Sequence, residues 1–172
     1  MESSKKPALV EMTLYTSGIG KTNMSSIEAQ EVDFVVLSED YSRFLLHDGS
    51  SLKAKIVLKK IFFTPIKTPE GYPVNTAFDT VNVVVSMVPQ ALKRPPSKDP
   101  YNPQTDKGTE IKFEEQDVKT QEYMTTNGFR VSLKPVLTKV FRYDKYTPLG
   151  EPIYNVVLQA ITNIDKIETT AS

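Results

Sequence analysis

Alternation of apolar and polar side chains dominates the chain from Glu31 onward. Residues 31–37, 42–47, 51–64 and 80–88 are rich in Val, Ile, Leu and Phe, with turn residues between them, which is the pattern of β-strands. A second series follows at residues 110–115, 121–126, 129–143 and 153–161. Residues 10–15 also alternate and predict a strand. Residues 1–8 read as a loose tail, and residues 16–30 as a Gly/Ser/Thr loop with one helical turn at 25–30. No segment predicts a helix of three or more turns.

The two series match each other at an offset of 79. Gly49 matches Gly128, Lys55 matches Lys134, Lys60 matches Lys139 and Phe62 matches Phe141. The match continues from Thr68, Pro69, Gly71 and Pro73 to Thr147, Pro148, Gly150 and Pro152. It then resumes, six residues displaced, with Asn82, Val83 and Val84 against Asn155, Val156 and Val157. Asp48–Gly49 and Asn127–Gly128 occupy matching turns, and both dipeptides favour a two-residue type I′ hairpin. One supersecondary unit present twice is therefore expected.

The long strand at 51–64 has two faces. Leu52, Ala54, Ile56, Leu58 and Phe62 share one parity, as do Val131, Leu133, Pro135, Leu137 and Phe141, and this parity predicts the core face. The other face begins polar and turns apolar, as in a bent strand, and Pro135 points to a bulge or an edge. Lys60 and Lys139 fall on the core parity. A lysine there must snorkel or pair, unless a bulge shifts the parity first.

These elements predict an all-β protein: a tandem duplication of a small antiparallel unit, forming two pseudo-twofold-related barrels or a merged sandwich. The organisation is an N-terminal strand and loop (1–30), a first β repeat (31–88), a Pro-rich linker (89–109), a second β repeat (110–161) and a tail (162–172). Each repeat is marginal in size alone, which favours a shared core.

Composition changes this picture by exclusion. The 172 residues hold 21 Lys plus Arg against 21 Asp plus Glu, so global charge gives no pull toward nucleic acid or membrane. There is no cysteine, which excludes disulfides and thiolate chemistry, and His47 is the one histidine. The N-terminus has no apolar signal-peptide core, and the run 81–88 is too short to span a bilayer. A cytoplasmic protein with no membrane partner is expected.

Several groups are candidates for chemistry. Ser17–Thr22 ends like a P-loop, but Tyr15 stands where that motif needs glycine and no βα units follow. Lys53, Lys55, Lys59 and Lys60 put four positive charges on one strand. With Arg43, Lys93 and Arg94, and with Phe44, Tyr72 or Tyr101 for stacking, they could form a nucleic-acid groove. Lys134 and Lys139 are the lysines kept in the second series. Carboxylates cluster at Glu39 and Asp40, at Glu114 and Glu115, and at Asp117, in predicted strand ends and turns. His47 precedes a turn, and Thr126 takes its place in the second series.

Gly71 and Gly150 sit in the paired Thr-Pro-x-Gly-x-Pro loops, two rigid shapes able to meet a partner. Pro100 and Pro103 form a minimal PxxP. No cofactor or metal site is expected. The leading expectation is a non-catalytic binding or assembly module using these loops and strand edges, with protein as the partner, including self-association. The alternative is a nucleic-acid-binding protein using the lysine strand.

Overall fold

The computed structural model describes residues 28–168. The predicted strand at 10–15 and the P-loop-like segment lie outside them. The described residues form ten strands: β1 (Gln30–Val32), β2 (Phe34–Ser38), β3 (Ser42–Leu46), β4 (Ser51–Phe63), β5 (Thr76–Met87), β6 (Thr109–Glu110), β7 (Phe113–Asp117), β8 (Gln121–Thr125), β9 (Phe129–Tyr146) and β10 (Pro152–Lys166). One 3-10 turn, Gln90–Leu92, lies in the linker. β5 begins earlier than its alternation predicts. β10 runs to Lys166, so part of the expected tail is strand.

All pairings are antiparallel and build two five-stranded sheets. In one, β4 carries β5 on one side and β3 followed by β1 on the other, with β7 outside β3. In the other, β9 carries β10 on one side and β8 followed by β6 on the other, with β2 outside β8. Among the described residues no strand pairing joins the two sheets, so neither closes as a barrel.

The registers correspond. Glu31 faces Phe62 and Glu110 faces Phe141, while Arg43 faces Lys53 and Glu122 faces Ser132; each pair is displaced by 79 (110 − 31, 141 − 62, 122 − 43, 132 − 53). The outer strands are exchanged. β2 pairs with β8, and β7 pairs with β3, so each half of the chain completes the other half's sheet.

A bulge sits at the same place in both long strands. Register breaks between Leu58 and Lys60, and opposite Leu137 and Lys139, leaving Lys59 and Thr138 out of the ladder. The extra residue reverses the parity that follows. Ile61, Phe63 and Val140 therefore turn inward and are buried. Phe62 and Phe141, expected in the core, are only half-buried, and Lys60 and Lys139 are exposed. The bulge also corrects the alignment of the last strands. Lys60 faces Asp79 and Lys139 faces Val157, so the matching residues are 78 apart and Asn82 does not correspond to Asn155.

The two Gly turns are not two-residue hairpins. The Gly49 N–H donates to Leu46 O at 3.0 Å and the Leu46 N–H to Ser50 O at 2.8 Å, with Gly49 at φ 93°. This is the three-residue loop that places its glycine in the left-handed region. Asp48 Oδ1 accepts the Ser50 N–H at 2.9 Å, and that bond favours the longer loop.

One hydrophobic cluster serves both sheets and draws on both halves, from Phe44, Leu52 and Ile56 to Tyr123, Val131 and Leu133. At its centre β4 has a gap. β3 stops at Ala54 and β1 starts at Ile61, so the intervening backbone lacks a strand on that side. Side chains of β8 fill the gap. Gln121 Oε1 accepts the Ile56 N–H at 3.2 Å, and the Tyr123 hydroxyl accepts the Leu58 N–H at 3.1 Å. In β9 the residue matching Ile56 is Pro135, which has no N–H to satisfy.

Candidate functional site

Each lysine of the strand has a close neighbour of its own, an acid or an aromatic ring. Lys53 and Lys55 lie over the Tyr41 ring, 5.5 and 4.8 Å from its centroid. Lys55 also approaches Glu39 at 3.9 Å, Lys59 lies 3.3 Å from Asp79, and Lys60 lies 3.5 Å from Glu31. Lys134 and Lys139 are exposed on the other sheet, so the structure does not gather the six lysines into one surface.

The carboxylates do not converge either. Glu114 and Glu115 are successive residues of one strand and point to opposite faces. Glu114 lies 3.6 Å from His47 Nε2, and Asp117 lies 3.3 Å from Lys119. Glu39 accepts the Tyr123 hydroxyl at 2.7 Å. Burial, reinforced by this carboxylate, pushes the Tyr123 hydroxyl well above the usual tyrosine range. No group of three or more His, Asp and Glu side chains among the described residues is placed to hold a metal ion. No helix among them is long and apolar enough to cross a membrane.

The two Thr-Pro-x-Gly loops share their hydrogen bonds. Gly71 N–H donates to Thr68 O and Gly150 N–H to Thr147 O, with both glycines left-handed at φ 90° and 78°. Their surroundings differ. The Arg94 N–H of the linker donates to Gly150 O at 3.0 Å and buries that glycine, whereas Gly71 stays half-buried against the tip of Lys166. The loops are thus one shape in two settings.

Sequence reasoning missed a partly buried polar cluster between the halves. Asp48 Oδ2 accepts from Arg142 Nη1 at 3.0 Å and from the Tyr154 hydroxyl at 2.7 Å, and Ser50 Oγ lies 2.9 Å from that hydroxyl. Burial pushes the Asp48 carboxyl up, but hydrogen bonds from Tyr154, Ser50 and Arg142 outweigh it and hold the carboxyl below its ordinary value. Burial and Asp48 push Tyr154 up to about 12. At the matching place in the other half the cluster is aromatic, with Phe63 and Phe129 rings 5.5 Å apart. A cleft of about 340 Å³ borders Arg142, Arg94, Tyr143 and Tyr146. Both Asp48 oxygens are engaged, by Ser50 on one side and by Arg142 and Tyr154 on the other, as in a structural tie.

The sharpest asymmetry lies at the two exchanged edge strands. β2 reads Phe34, Val35, Val36, Leu37, Ser38, and β7, 79 residues on, reads Phe113, Glu114, Glu115, Gln116, Asp117. Their inner anchors agree: Phe34 meets Tyr123 edge to face at 5.4 Å, and Phe113 meets Phe44 at 6.2 Å. Their outer parts diverge. β7 carries three acids. β2 exposes Val35, Val36 and Leu37 at 56%, 54% and 44%, with no charge in the strand.

Backbone polarity at β2 follows from its ladder. The Thr126 N–H donates to Asp33 O at 2.8 Å. Antiparallel alternation then turns the N–H and C=O of Phe34 and Val36 to the open side. The Asp33 carboxylate caps the Phe34 N–H at 2.9 Å, while no partner strand among the described residues lies beyond Val36. No family model, curated protein or solved structure matches this chain.

Proposed function

We propose that the protein is a non-catalytic binding or assembly module that recruits a partner by strand addition at the β2 edge. The observation that carries this is the contrast between β2 and β7. An edge strand normally carries charges that keep other strands away. β7 has them at Glu114, Glu115 and Asp117, and β2 has none within the same framework. An apolar open edge with outward backbone groups suits main-chain pairing, with alternate side chains read by the partner.

The matching registers and bulges support a tandem duplication as the origin of the framework. In that reading one edge was later armoured and the other kept for recognition. The paired Gly/Pro loops, at Gly71 and Gly150, are rigid corners of the scaffold and a secondary contact at most. The lysine strand draws less support as a nucleic-acid surface, because Lys53, Lys55, Lys59 and Lys60 each face an acid or the Tyr41 ring. A protein partner is the reading that remains.

An NMR titration with a short uncharged strand-forming peptide, Thr-Val-Ile-Val-Thr, tests this. The Val36 amide should shift and gain exchange protection, while Glu114 to Gln116 stay unmoved. No shift, or equal shifts on both edges, overturns the proposal.

A further inference from the structure

The apolar core of β2 is bracketed by acids, and this constrains what can lie along it. Asp33 precedes the strand and is exposed; Glu39 and exposed Asp40 follow it. A second β2 pairing antiparallel about a twofold at Val36 would set Val35 against Leu37, which is favourable. The same register brings exposed Asp33 of each copy to the end where the other carries exposed Asp40, beside a Glu39 already committed to Tyr123 and Lys55, so like charges meet at both ends, which is unfavourable. The β7 edge of a second copy would bring Glu114, Glu115 and Asp117 beside Asp33 and Asp40. Neither self-pairing relieves the acidic ends.

We infer that the β2 edge takes an extended apolar segment of about five residues whose flanks carry lysine or arginine. This rests on the strand-addition reading above. The apolar centre would lie along Val35, Val36 and Leu37, with its backbone paired to the outward groups of Val36. The basic flanks would meet Asp33 at one end and Asp40 at the other. In this arrangement the backbone supplies affinity and the acidic brackets supply selectivity and register. Salt would weaken the flanking attraction and leave the backbone pairing in place.

Two labelled peptides separate the claims: Lys-Lys-Thr-Val-Ile-Val-Thr-Lys-Lys, and the same core flanked by four glutamates. Fluorescence anisotropy on the full chain should show the lysine-flanked peptide binding at least about tenfold more tightly at low salt, with the gap closing near 1 M salt. D33N/D40N should narrow the gap without abolishing binding. Val36→Pro should weaken both peptides at least about tenfold, because it removes an outward donor yet leaves the ladder to β8 intact. Circular dichroism should confirm an unchanged fold.

If both peptides bind equally and Val36→Pro still abolishes binding, strand addition stands and the inference about basic flanks fails. If neither peptide binds, or Val36→Pro changes nothing, the β2 edge reading itself fails. If light scattering shows a dimer that Val36→Pro dissociates, the occupant is a second copy and the inference is overturned.

Discussion

Replacing Tyr123 by phenylalanine isolates one oxygen at the centre of the fold. The ring is fully buried and phenylalanine keeps its packing against Phe34. The hydroxyl accepts the Leu58 N–H at 3.1 Å and donates to Glu39 at 2.7 Å. Without it, the Leu58 N–H faces the gap in β4 with no acceptor, a cost of about 1–3 kcal/mol. The Glu39 carboxylate is 24% exposed and regains water in part, so its loss falls at the low end of the range for a charged acceptor. The two losses together come to about 2.5–4.5 kcal/mol. For a chain of this length that lowers Tm by roughly 5–18 °C. Urea unfolding followed by circular dichroism should show a lower midpoint with the slope unchanged. A loss under about 0.5 kcal/mol would show that the gap in β4 is not sealed by this side chain.

Other outcomes follow from the same geometry. Asp48→Asn should cost about 1–2 kcal/mol at neutral pH. The folded carboxyl lies below its unfolded value, so the wild-type advantage is full above about pH 4 and fades as pH falls through the folded pKa; melts that differ equally at pH 2 and pH 7 would refute it. Tyr154→Phe should flatten alkaline unfolding. The raised hydroxyl stabilises the fold below about pH 10 and loses that contribution as pH rises toward about 12, a window readable by pH-jump fluorescence.

Gly128→Ala should cost only left-handed strain, about 1–2 kcal/mol, since nothing lies within 4 Å of its new Cβ. Gly150→Ala should cost clearly more, because its Cβ would stand 2.7 Å from Arg94 O; equal melting temperatures for the two variants would contradict this. Ile61→Ala should destabilise by about 2–5 kcal/mol and exceed Phe62→Ala, because the bulge puts Ile61 in the core. Nucleic acid should bind no more tightly than about 10⁻⁴–10⁻⁶ M at physiological salt, and submicromolar binding in a gel shift would revive the lysine strand.

Much of the framework was legible in the sequence because alternation reports which residues form strands. It does not report partners. Nothing in Phe34 to Ser38 says that β2 crosses to β8 rather than pairing beside β3, so the exchange was hidden. Lys60 and Lys139 on the core parity point to a bulge, and that bulge reverses the parity of Phe62 and Phe141, which alternation alone assigns to the core. The lysines read as a patch because the groups they meet, the Tyr41 ring and the carboxylates of Glu39, Asp79 and Glu31, lie apart from them in sequence. The contrast between β2 and β7 was present all along in the 79-residue alignment. It gained meaning only when both strands proved to be outer edges.

The strand exchange also governs how the chain can be made. Val35 pairs with Met124, 89 residues downstream (124 − 35), so β2 leaves the ribosome long before its partner exists. At about 5–20 residues per second that interval is roughly 4–18 s. Throughout it, Val35, Val36 and Leu37 have neither sheet nor core, and the amides of Ile56 and Leu58 wait for Gln121 and Tyr123. The first half therefore emerges as an unfinished sheet that only the second half can complete. Ribosomes pausing within the linker would lengthen that exposure, and the β2 of a trailing nascent chain would then be open to capture by the β8 of a leading chain on the same message.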